Sequence, residues 1–234
     1  MRYRIEIFRK DRDNEKGYCQ SFWYETESEA ETVASALTAL NEQSALSDTD
    51  GNTARKIEWD CSCLQKKCGA CAMVINGVPR LACQAKLSEF PKGLIKLAPL
   101  SKFPVVCDLV VDRSIMFENL KTMKLWLTED AVQTDKSQQL SFESSECIQC
   151  GCCLEICPNF YSGGKFYGMS AVPVTMRLLS ESDKKASKEI IKQYAKHTFA
   201  GCGKSLACRN VCPKKIDTEN LLVNANAIAI WKRF

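Results

Sequence analysis

The sequence holds a single histidine, His197, among 234 residues. No Ser/His/Asp set forms around it, and it reads as a surface or packing residue rather than a catalytic base. One imidazole also gives the chain little means of holding a bis-histidine haem. No Cys-x-x-Cys-His occurs, which excludes covalently attached haem. No G-x-G-x-x-G follows a strand pattern, so no dinucleotide-binding turn is expected in this chain. No apolar run approaches the roughly 18 residues that a bilayer crossing needs. Charge of one sign is not in excess. The 32 basic and 28 acidic residues leave +4, too little to argue for nucleic acid or an anionic lipid surface. The 45% hydrophobic and 26% charged residues make a globular balance that excludes wholesale disorder, collagen and coiled coil. The N-terminal MRYRIEIFRKDRDNEKG has neither h-region nor cleavage site, so export on its own signal is not expected.

Cysteine is the residue in abundance, 15 in all. An odd count fits a closed disulfide set poorly. In a reducing compartment, many cysteines point to metal or redox chemistry.

Residues 1–104 read as a mixed α/β unit. Arg2–Arg9 alternates, with Tyr3, Ile5 and Ile7 on one face, and Gly17–Tyr24 is a second strand pattern. Ser28-Glu29-Ala30-Glu31 matches a capping box, predicting a helix whose apolar stripe is Ala30, Val33, Ala34 and Leu37. Ala72–Ile75, Asn76-Gly77 and Val78–Cys83 read as a hairpin, because Asn-Gly accepts the positive φ angles of a two-residue turn. Leu94–Leu97 is a further short strand. Residues 105–234 read as a second, mostly helical domain. Helices are predicted over Met116–Leu127, Ala171–Leu179, Asp183–His197 and Glu219–Trp231, the last capped by Asp217 or Thr218. The polar stretch Thr128–Glu146 reads as a loop or linker.

Three cysteine constellations carry the chemistry. Cys63-x4-Cys68-x2-Cys71-x11-Cys83 has the plant-type [2Fe–2S] spacing, with three thiolates on one loop and the fourth from a strand. Gly69 lets the backbone approach the sulfides. A zinc knuckle on Cys68-x2-Cys71 is the bland alternative. Cys147-x2-Cys150-x2-Cys153-x3-Cys157-Pro158 is the bacterial ferredoxin run, whose fourth cysteine serves the other cluster of a pair. The partner run is Cys202-x5-Cys208-x3-Cys212-Pro213, with Ser205 where a second cysteine would sit. Crossing the fourth ligands gives Cys147, Cys150, Cys153 and Cys212 for [4Fe–4S]. It leaves Cys157, Cys202 and Cys208, three thiolates that suit [3Fe–4S]. Alternatively Ser205 coordinates as an alkoxide and the third cluster keeps four irons, although a hard oxygen competes poorly with thiolate. Cys19, Cys61, Cys107 and Cys152 remain and are read as small buried hydrophobes. A swap between Cys152 and Cys153 is the weakest point of this scheme.

The segments CSCLQKKCGACAMVINGVPRLAC, ECIQCGCCLEICP and GCGKSLACRNVCPKK, with LVVDRSIMFENL between the first two, together resemble the iron–sulfur subunit of succinate dehydrogenase and fumarate reductase. The resemblance covers nearly the whole chain. It implies an α+β protein, with an N-terminal β-grasp [2Fe–2S] ferredoxin domain followed by an all-α helical ferredoxin domain. It also implies electron transfer through [2Fe–2S], [4Fe–4S] and [3Fe–4S] between an FAD-carrying subunit and a membrane anchor that handles quinone. The expected place is peripheral, on the cytoplasmic face of a bacterial cell membrane, beside a cytochrome b-type anchor that holds haem. The chain itself carries no site for the dicarboxylate.

The sequence departs from that family pattern at Leu64 and Lys66 in the first loop, where Arg and Gly are usual. Tyr161, Ser162 and Gly203 stand where many members carry paired tryptophans and a histidine beside quinone. The family's quinone pocket is therefore not expected in this chain, and electrons are expected to pass to haem in the partner. Competing readings are the iron–sulfur partner of a thiol-linked fumarate reductase or glycolate-type oxidase, a free multi-cluster ferredoxin, and a structural zinc module.

Overall fold

The computed structural model describes residues 1–128, 130–131, 135–181 and 187–231, with the backbone alone for 135–137. The chain forms two compact units, Met1–Asp112 and Arg113–Phe234.

In the first unit the alternation of Arg2–Arg9 makes strand β1, which buries Tyr3, Ile5 and Ile7 on one face. It pairs antiparallel with β2 (Tyr18–Glu25), Ile5 opposite Phe22. Helix α1 spans Val33–Glu42. Its cap is Thr32, whose hydroxyl accepts from Ser35 N while Ser35 Oγ accepts from Thr32 N. The expected box at Ser28 and Glu31 is not the helix start. Leu87 N donates to Glu31 O at 2.8 Å, and Thr32 bridges Lys86. These bonds hold the backbone extended until Val33, and Ala30 is exposed. The rest of the stripe, Val33, Ala34 and Leu37, is buried with Leu40.

Short strands β3 (Leu46–Ser47) and β4 (Thr53–Ala54) pair with each other. Strands β5 (Ala72–Ile75) and β6 (Val78–Leu81) form the expected hairpin, with Asn76 and Gly77 at φ 47° and 81°. Strand β7 (Leu94–Ala98) runs parallel to β1 and antiparallel to β5. The sheet order is β2-β1-β7-β5-β6, a β-grasp arrangement. Its core includes Ile5, Ile7, Phe22, Leu37, Leu40, Met73, Ile75, Leu81 and Ile95. Each such side chain contributes about 1.5–3 kcal/mol on burial.

Strands β8 (Val105–Cys107) and β9 (Val110–Val111) pair antiparallel and lie with the first unit, eight residues beyond the expected boundary at 104. The cause is Asp108, fully buried with Arg9. Its carboxylate accepts from Arg9 Nε at 3.2 Å, from Lys10 N and Glu58 N at 2.9 Å each, and from Arg55. Polarity alone could not reveal those long-range bonds.

The second unit is helical. Helix α2 spans Ser114–Thr122, ending short of the expected Leu127, and Lys124 at φ 55° turns the chain. Helix α3 (Asp135–Ser145) corrects the expectation of a loop over Thr128–Glu146. It buries Ser141 and Ser144 rather than large apolar groups, and Ser141 Oγ donates to the buried Glu181 carboxylate. A helix that packs through serines has no hydrophobic stripe to read. Short helix α4 is Cys152–Glu155, and α5 is Ala171–Glu181. Helix α6 (Ser187–Tyr194) continues into a π-helical turn, Ala195–Phe199. The start expected at Asp183 lies outside the described residues. Short α7 is Ala207–Asn210. Helix α8 (Thr218–Ala229) is capped by Asp217, whose side chain accepts from Asn220 N at 3.0 Å. The core joins Val172, Met176, Tyr194, Leu221 and Ala225. Among the described residues no helix is long and apolar enough to cross a membrane.

Candidate metal centres

The first centre is a loop bent around sulfur. Leu64, Lys66 and Gly69 take φ values of 51°, 60° and 78°. This curvature turns successive amides inward. Gln65 N and Lys67 N each donate to Cys63 Sγ at 3.3 Å, and Ala70 N donates to Cys68 Sγ at 3.5 Å. The two amide bonds hold the Cys63 thiol down at about 7, a thiolate-favouring value. The hairpin supplies the other two cysteines. Ala72 stands opposite Leu81, so Cys71 and Cys83 meet just past the strand ends and hydrogen-bond through their side chains. Burial pushes Cys71 up to about 12. The usual Gly before Lys67 now has a physical reason: residue 66 sits in the left-handed region that favours glycine.

The other two centres are cavities in the second unit. One is lined by Cys147, Cys150, Cys153 and Cys212. The other is lined by Cys157, Cys202 and Cys208, with Ser205, Gly203 and Asn159 at its wall. Each therefore gathers thiols from both cysteine runs. The runs are also a structural repeat. Gln149 and Lys204, 55 positions apart, both have positive φ, as do Gly151 and Leu206 before α4 and α7. Each left-handed pair turns the chain so that a short helix starts within the cysteine run.

Cys152 does not line either cavity. It is fully buried and hydrogen-bonded to Cys150, whose thiol that bond lowers to about 7. Cys153 lines the first cavity, and burial holds its thiol well above the ordinary value. Burial likewise pushes Cys147 up to about 11. Cys107 is buried as expected, whereas Cys19 and Cys61 are exposed. Their strand and loop positions face outward, so the small-hydrophobe reading does not hold for them.

The donor chemistry fits soft, cluster-sized guests. Among the described residues no three His, Cys, Asp or Glu side chains converge on a single-ion site. The thiols instead surround space. Residues with a buried polar atom that has no partner line the same space: Gln149, through Oε1, at the first cavity and Thr198, through Oγ1, at the second.

His197 is buried, stacked on Tyr167 at 4.3 Å between ring centroids, and bonded through Nδ1 to Lys165 O at 3.0 Å. It is a packing residue. Tyr161 is exposed, and a Cβ on Gly203 would meet Asn159 Nδ2 at 2.9 Å. Asn159 Nδ2 is itself tied to Gly201 O at 2.7 Å. No sequence signal pointed to Asn159, Gln149 or Thr198, which are ordinary polar residues until folded.

The family model of the 2Fe-2S iron-sulfur cluster binding domain matches residues 4–118, and that of the 4Fe-4S dicluster domain matches 143–216. Fold and motifs thus define an iron–sulfur electron-transfer protein of two ferredoxin-type domains. The chain is 37% identical over 187 residues to the succinate dehydrogenase iron-sulfur subunit of Bacillus subtilis, covering 75% of this chain and 73% of that one. It is 31% identical to the fumarate reductase iron-sulfur subunit of Escherichia coli O6:H1, covering 74% of each. The Mycobacterium smegmatis Sdh1 complex in the apo form shares the fold, with a TM-score of 0.75 over 99% of this chain and 96% of that one at 22% identity. The chain belongs to the succinate dehydrogenase/fumarate reductase iron–sulfur subunit family. It is the electron-transfer subunit of an oxidoreductase.

Proposed function

We propose that this chain relays electrons through three clusters, each held by one of the cysteine sets above. Cys63, Cys68, Cys71 and Cys83 hold [2Fe–2S]; Cys147, Cys150, Cys153 and Cys212 hold [4Fe–4S]; Cys157, Cys202 and Cys208 hold [3Fe–4S]. The observation that carries this reading is the pair of cavities that draw thiols from both runs. When bound, the clusters supply one-electron carriers between flavin and the acceptor side. The chain's own residues ligate them, donate N–H bonds to their sulfurs and exclude water. Ser205 lies at the second cavity but is exposed, which supports three thiolates rather than a fourth oxygen ligand.

The partners are an FAD-carrying subunit and a membrane anchor with haem, quinone being bound by the anchor. The chain is peripheral, on the cytoplasmic face of a bacterial membrane. Asn159 filling the space beside Gly203 supports a terminal cluster that faces haem rather than a quinone pocket in this chain. Iron analysis with EPR of the anaerobically purified, air-oxidised complex tests the cluster reading. One signal of each type is expected; a second [4Fe–4S] on reduction with no [3Fe–4S] signal overturns the third assignment. A colourless zinc protein would sink the whole reading.

A further inference from the structure

Thr198 lies in the π-helical turn Ala195–Phe199, where Ala200 N donates to Ala195 O at 3.1 Å. Such turns are rare and concentrate at functional sites. The wider turn displaces the side chains of residues 195–199 from the positions an α-helix would give them. Thr198 is 1% exposed and its Oγ1 has no hydrogen-bond partner. A buried hydroxyl left unpaired costs about 1–3 kcal/mol, and residues in helices ordinarily return such a hydroxyl to the preceding turn. Thr38 shows that bond in this chain, donating to Ala34 O at 3.0 Å. Thr198 lines the cavity of Cys157, Cys202 and Cys208, and no protein group pairs with its hydroxyl.

On the reading that this cavity holds the third cluster, we infer that Thr198 Oγ1 donates a hydrogen bond to a sulfur of that cluster and helps to set its reduction potential. The bond stabilises the more negative, reduced form, so Thr198 raises the potential. Thr198 is a positioning residue for the redox group and not one of its ligands. The π-helical turn is the element that carries Thr198 at the cavity wall.

The experiment is an EPR-monitored redox titration of the intact complex carrying Thr198→Val, Thr198→Ser or Thr175→Val. Valine keeps the shape and removes the donor; serine keeps the donor. Thr175 is the control. It is also fully buried with an unpartnered hydroxyl, but it lies on α5 and lines neither cavity. In Thr198→Val the oxidised form should gain about three- to tenfold over the reduced form at the wild-type midpoint, tenfold being about 59 mV for one electron. The serine variant should restore the wild-type midpoint, and Thr175→Val should not move it. Pulsed EPR after D2O exchange should show an exchangeable deuteron coupled to the oxidised cluster in wild type and lost in Thr198→Val. An unmoved midpoint with the cluster retained overturns the inference, as does an equal shift in Thr175→Val. Absence of any [3Fe–4S] signal from wild type instead overturns the cluster reading beneath it. Should Thr198→Val fail to assemble, the serine variant and the wild-type deuteron coupling still decide.

Discussion

Gln149 holds its side-chain amide nitrogen 3.3 Å from Cys147 Sγ, while the same group donates to Ser170 O at 3.0 Å. The residue sits at φ 48°, a backbone state that side chains other than glycine seldom adopt. The strained backbone delivers an amide donor to a cysteine of the four-thiol cavity. Gln149→Leu should keep the cluster and lower its potential. A bond of about 1 kcal/mol corresponds to roughly a fivefold change in the oxidised-to-reduced ratio at fixed potential. EPR titration of the reduced complex reads it, and an unchanged midpoint would remove Gln149 from the electrostatics of that site.

Ser205→Cys should complete a four-thiolate pattern in the second cavity. The third cluster should become [4Fe–4S], with a lower potential because thiolate adds negative charge, and electron flow toward quinone should slow. If the EPR spectrum stays that of wild type, residue 205 does not reach the cluster.

Asp108→Ala should destabilise the first unit strongly. Arg9 would remain buried with its charge uncompensated, and burial already holds its pKa below the usual arginine value. Removing one member of such a pair costs about 3–5 kcal/mol. Urea denaturation should show the midpoint falling with little change in slope. A loss below about 1 kcal/mol would mean that the Asp108 carboxylate, with the Arg9, Arg55 and backbone bonds it accepts, is not what holds β8 and β9 in place.

Lys66→Gly should relieve the left-handed backbone at φ 60°, worth about 1–2 kcal/mol. It also removes a cation from the first cluster loop, so the [2Fe–2S] potential should fall. Thermal melting and redox titration read the two effects separately. A gain in potential would show that the Lys66 charge does not act on the cluster.

In the cluster-free chain, Cys63 should alkylate ahead of Cys71. Backbone amides hold Cys63 at about 7, whereas burial holds Cys71 at about 12. Thiolate is the reactive form, so Cys63 labelling should rise through neutral pH and Cys71 should stay unlabelled. Mass spectrometry of iodoacetamide-treated protein from pH 6 to pH 9 measures this; equal labelling at pH 6 would deny the amide bonds to Cys63 Sγ.

Short-range signals in the sequence were enough for the α+β class, the hairpin at Asn76-Gly77, most helices and the grouping of the later cysteines that line the two cavities. Each of these rests on short-range periodicity, turn chemistry or fixed spacing, which survive without tertiary contacts. Tertiary structure alone decided the rest. Thr32 replaced Ser28 as helix cap because the 86–87 segment holds the chain extended up to that point. Helix α3 exists in a polar stretch because serines pack where apolar residues were sought. The boundary moved to Asp112 because Asp108 binds groups nearly a hundred residues away. Cys153, not Cys152, lines the first cavity because the turn at Gly151 buries Cys152 against Cys150. Neighbouring residues in sequence carry the same chemistry, and only backbone direction separates a cavity wall from a core position.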